Sequence, residues 1–264
     1  MRGVVEHLGL TRPPIEEPAI RLWWAQQPAL HGLPLFSMAA AMHAAVEGDA
    51  FPTLAGGEVV RALVRRERLR IDNIGRNIGF GNFGLSRLIG LAAIPGDLLA
   101  GDVRYFADPT LEIGTPPTDR IVDSLNEAPW WENHSLPALT PDLLAAELLL
   151  QILSDRPDRA AAWLSAAILR GSPQWVGRIE RLAYDITHIH GSQKNRLSGW
   201  LEQIADIPAV PMEALLPLLL EPSHSATLPL AVRVARVFAG DAQADDASRA
   251  SWLHNGSTIL ASGR

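Results

Sequence analysis

The chain has 264 residues, 47% of them hydrophobic and 20% charged, enough to bury a sizeable core. Its net charge is −6 and it has no cysteine, which excludes disulfides, thiolate nucleophiles and cysteine-ligated zinc. The charge also leaves no overall basic field to hold nucleic acid or an anionic membrane.

The N-terminal MRGVVEHLGLTRPP lacks an apolar signal core, and stretches such as LLAAELLLQIL are far short of a bilayer span. A cytoplasmic soluble protein is expected. AIRLWWAQQPA and LPLFSMAAAMHAAVEG read as two helices separated by a turn at His31-Gly32. The stretch at 56–79, GGEVVRALVRRERLRIDNIGRNIG, predicts a long amphipathic helix. Val59, Leu63 and Val64 should face in, and Arg61, Arg65, Arg66, Arg68 and Arg70 should face out. GLSRLIGLAAIPGDLLAG reads as a short apolar helix pair. The segment from Asp108 to Leu139 is turn-rich around one helix, and its tail can form a small β-hairpin. From residue 140 onward six short segments keep apolar residues at helical spacing, with Pro or Gly between them. Such a series makes antiparallel helix pairs stacked side to side, as in an α-solenoid. The fold class is therefore mainly all-α, divided near Pro137 to Pro141 into parts at 1–137 and 138–264.

Gly79-Phe80-Gly81-Asn82-Phe83-Gly84 spells G-x-G-x-x-G. A dinucleotide fingerprint needs a buried strand before it, but the residues upstream are charged and at helical spacing. The kinase version needs a valine where Ser86 stands, and no G-x-x-x-x-G-K-[ST] occurs. A joint between helices, with Phe80 and Phe83 in the core, is the better reading. His188-x-His190 suggests a metal, yet positions i and i+2 of a helix diverge by about 200°, so one ion cannot easily take both. No G-x-S-x-G elbow is present, and the pairs Glu16-Glu17 and Asp245-Asp246 read as solvated surface. No catalytic residue and no metal ligand is assigned. Six arginines lie between Arg61 and Arg76 without interleaved aromatics, a pattern better suited to docking an acidic surface than a nucleic-acid strand. Trp23-Trp24 and Trp130-Trp131 read as packing groups.

Three stretches in this order resemble the region that follows the ATPase core of STAND proteins, the signal-transduction ATPases with numerous domains. Gly32-Leu33-Pro34 resembles the G-x-P motif that opens a small helical bundle, and Arg66-Glu67-Arg68 the helix that ends it. GLSRLIGLAAIPG through PWWENHSLPALTPDLLAAELLL resembles the winged-helix segment and the entry to a helical arm, matched by Leu139 to Leu144. RASWLHNGSTILASGR resembles the opening helix of a tetratricopeptide array. The resemblance implies a non-enzymatic regulatory and protein-interaction module whose arm docks protein partners. By the same resemblance Pro34 would contact the base of a bound nucleotide and His134 would lie near its phosphates. That would hold only with an ATPase core supplied, because this chain has no Walker A lysine and brings no ATP or ADP site of its own. Two alternatives stand beside it. One is an enzyme with a site near Trp130 to His134 in the cleft between the halves, its small-molecule substrate unknown. The other is a winged-helix nucleic-acid binder using the Arg61 to Arg76 face.

Overall fold

The long amphipathic stretch sets the frame of the molecule. In the computed structural model it is helix α1, Gly56–Asn77, with Val59, Val60, Val64 and Ile71 fully buried along one stripe. The structure describes residues 56–131, 133–140, 142–171, 174–190, 194–207, 210–220 and 226–240, together with Pro18, Leu22 and Ala25. Glu58 lies in the first turn of α1 and Arg76 in the last, each sign matching the helix dipole.

Helix α2, Gly84–Leu91, follows the glycine-rich joint. The residues expected to continue it as a second apolar helix do not. Pro95 and Gly96, the latter at φ +99°, end the turn, and Asp97–Leu99 forms strand β1. Helix α3, Ala100–Phe106, starts directly after it, with Asp102 Oδ2 accepting the Leu99 N–H at 3.0 Å. Helix α4 spans Ile121–Asn126, and strand β2, Ser135–Pro137, returns to β1. The pairing is antiparallel, with Leu98 opposite Leu136, both fully buried. The small β element expected near residue 135 is therefore present, its partner strand drawn from 97–99.

Five longer helices follow: α5 at Asp142–Asp155, α6 at Ala160–Arg170, α7 at Trp175–His190, α8 at Lys194–Gln203 and, after the one-turn α9 at Pro217–Leu220, α10 at Leu228–Gly240. Leucine-rich α5 is apolar almost all round because it is covered on several sides. It packs on α1, α2 and α7, while α6 packs on α8 and α8 on α10. Three of these contacts, α5 with α7, α6 with α8 and α8 with α10, join helices that are next but one in sequence. The start of α10 is anchored from α7: Glu180 accepts the Thr227 N–H at 2.7 Å, the Thr227 hydroxyl at 2.8 Å and the Ala226 N–H at 3.1 Å. The buried side chains form one cluster from Val59 to Ala235, crossing Pro137 to Pro141 without a break. The described residues are mainly helical, with one two-stranded antiparallel sheet, and none of their helices is long and apolar enough to cross a membrane.

Candidate functional site

The amides of the G-x-G-x-x-G joint are turned to the chain itself. Gly79 N–H donates to Arg76 O, Phe80 N–H to Gly75 O at 2.9 Å, Gly81 N–H to Gly114 O at 2.8 Å and Gly84 N–H to Gly81 O at 3.0 Å. Four amides that a phosphate would need are already spent. Glycine is required at 84 for packing: a Cβ there would stand 2.1 Å from Gly114 O. Phe80 is buried as expected, but Phe83 is not. It is 42% exposed, at φ +64°, and its ring lies beneath two guanidiniums, Arg68 at 4.8 Å and Arg87 at 6.0 Å. The left-handed turn that lets the chain pass Gly114 swings this side chain outward.

The arginine helix divides in the same unexpected way. Arg68 does not face solvent with its neighbours; it is buried, and its guanidinium pairs with Asp155 on α5. At 100° per residue, position 68 falls beside 64 and 71 on the inward stripe, and only the long stem lets a cation sit there. Arg70 pairs with Glu67 and lies 4.8 Å from the Trp130 ring, and Arg76 donates to Asn73. Arg65 and Arg66 are exposed with no partner among the described residues.

Beneath Arg68 lies Asp72, buried beside Ser86 of α2. Burial pushes its carboxyl above the ordinary aspartate range; Ser86, Arg68 and Arg87 oppose that shift. Arg87 donates to Ile113 O at 2.9 Å. Burial, then the charges of Arg68 and Arg156, draws its guanidinium below the usual value. These residues tie α1, α2 and the loop around Gly114 into one polar seam.

A polar cleft borders this seam. About 370 Å³ in volume, it runs between α1 and α5 and reaches the last turn of α7. One wall is Arg61, Arg65 and Arg68, spaced i, i+4, i+7 on a single face of α1. Leu150, Gln151 and Ser154 of α5 form the other. Arg68 and Asp155 close one end. His190 and Glu147 close the other, His190 Nε2 bonded to Glu147 Oε2, both side chains buried. Gln151 Nε2 donates to Glu147 Oε1 at 2.6 Å, so both Glu147 oxygens are occupied. Gly57 makes this corner possible: a Cβ on it would meet Ile189 O at 2.1 Å, so only glycine lets α1 start this close to α7.

His188 and His190 are not brought together. His188 bonds Tyr184 O through Nδ1 at 3.0 Å and lies against the Tyr184 ring, tilted by 44°, while His190 turns inward to Glu147. No group of three His, Asp or Glu among the described residues could hold a metal ion. His134 sits exposed at φ +59°, directly after Asn133 at φ +52°, and its carbonyl accepts the Ala100 N–H at 3.2 Å. It is the turn that launches β2. Trp130 and Trp131 are half-buried against the core, as packing groups should be. Pro34, Glu16-Glu17, Trp23-Trp24, Asp245-Asp246 and the tetratricopeptide-like stretch lie outside the described residues.

The sequence pattern does not place Glu147 and His190 together. One signal was there: Glu147 is the sole carboxylate inside an apolar run, with Gln151 four residues on. Chemically the cleft offers cations and hydrogen-bonding groups, a set that suits binding an anion. Neither family models, nor curated proteins, nor solved structures match this chain.

Proposed function

We propose that this chain is a regulatory and protein-interaction module of STAND-ATPase descent, without catalytic work of its own. What supports the reading is the order of elements: an arginine-rich helix, then helix–strand–helix–helix–strand from α2 to β2, then a succession of packed helices from α5. That order is the one the resemblance implies, with α2 to β2 in the position of a winged helix. In this reading the polar seam makes α1, the glycine joint and α5 move as one piece, so a partner bound on the helices is felt at the β1–β2 ribbon. A duplex is not the partner assigned. Helix α4, which would stand where such folds carry their groove-reading helix, bears Asp123 and is flanked by Asp119 and Glu127.

Sequencing the DNA on both sides of this reading frame tests the descent. The expected result is a Walker A-bearing segment upstream or repeats of about 34 residues downstream. Flanks with neither feature, in this frame or adjacent genes, would remove the reading.

A further inference from the structure

We infer that the cleft between α1 and α5 is a docking groove for an acidic peptide segment of a partner protein, with Arg65 as its anchor. The inference deepens the interaction role proposed above and rests on it only for the word partner; the groove is argued from its own chemistry.

Charge complementarity selects the occupant. Of the three arginines on the α1 wall, Arg68 is taken by Asp155, and Arg61 lies 3.7 Å from Glu58. Arg65, between them and one turn from each, has no partner among the described residues and is exposed. Opposite it, the α5 wall shows Gln151 and the Ser154 hydroxyl, the latter with no described partner, over the buried side chain of Leu150. At one end Arg68 is paired with Asp155, and at the other Glu147 is hydrogen-bonded by His190 and Gln151, so the unpartnered cation stands in the middle. A carboxylate on an extended strand, paired with Arg65 and followed by an apolar side chain over Leu150, satisfies both features. A guanidinium fork takes a carboxylate through two parallel hydrogen bonds, which gives direction as well as attraction. The whole chain is acidic, so this groove is a local exception to its field.

The probe is a fluorescein-labelled peptide of alternating glutamates and leucines, its anisotropy followed against the full chain at about 20 mM and about 200 mM salt. Expected are saturable binding at low salt, weakening at high salt, and a loss of about tenfold or more in R65E. R120E makes the same charge change at an exposed arginine away from the groove and should stay within about twofold. Far-ultraviolet circular dichroism of R65E checks that its helices are intact. Equal losses in both variants would reduce the effect to bulk charge and overturn the groove. So would no loss in either, displacement of the peptide by inorganic phosphate at equal ionic strength, or tighter R65E-sensitive binding of a DNA oligonucleotide. None of these outcomes depends on the flanking genes, so this inference and the proposed descent fail separately.

Discussion

Asp72 is where residue-scale physics is most exposed to measurement. A carboxylate buried this deeply is costly in its charged form, even with Ser86 beside it and Arg68 Nε 3.9 Å away. Because its folded value lies above the unfolded one, the folded state holds the proton more tightly. Ionisation therefore weakens the fold at neutral pH, and the penalty is relieved as pH falls through the raised value toward about 4, the ordinary aspartate value. D72N should raise the melting temperature at pH 7, by the equivalent of about 1 kcal/mol, and the gap to wild type should close on acidification. Thermal melts at the two pH values check this, and a lower melting temperature at pH 7 would mean that the Arg68 attraction outweighs burial. Asp185 has its value raised for the same first reason, burial, but differs in having Arg181 Nε at 3.3 Å.

Close backbone approach joins the first two helices. The joint between α1 and α2 works because Gly84 lies against the Gly114 carbonyl, with the Gly81 N–H bonded to the same oxygen. G84A should cost about 2–3 kcal/mol, since a rigid backbone oxygen stands where the methyl must go. G101A is the contrast: nothing lies within 4 Å of a Cβ there, and the site is in the first turn of α3. It should be neutral or stabilise by up to about 1 kcal/mol through helix propensity. Denaturant melts of the two variants separate a packing glycine from a dispensable one. The motif's letters alone do not say what the glycines meet, because a backbone can need bare glycine to meet either a phosphate or another stretch of chain.

At the scale of the whole molecule, α5 decides how many units there are. It buries Leu148, Leu149 and Ile152 completely while packing on α1 and α2 on one side and α7 on the other. Trp163 of α6 reaches back in the same way, its indole N–H donating to Leu111 O at 2.6 Å. Residues on either side of Pro137 to Pro141 thus share one core, and the described part should unfold in a single cooperative transition. Calorimetry checks this by the ratio of calorimetric to van't Hoff enthalpy. Two resolved transitions, or a cooperative melt of residues 138–264 expressed alone, would show separate units at 1–137 and 138–264 instead.

Helix positions and the buried stripes of α1, α5, α6 and α7 were legible in the sequence, because a period of 3.6 residues is a local property of the chain. So was the absence of thiol chemistry, which follows from composition alone. Which arginine turned inward, which phenylalanine turned outward, and which strand met Ser135–Pro137 were not local matters. Arg68 is buried because Asp155 waits for it on another helix, Phe83 is exposed because Gly114 occupies the space beside the joint, and His190 reaches a carboxylate 43 positions away. Pairings of that kind are set by how helices lean on one another, and only the tertiary structure brings Arg61, Arg65 and Arg68 opposite Gln151 and Ser154 as the two walls of one groove.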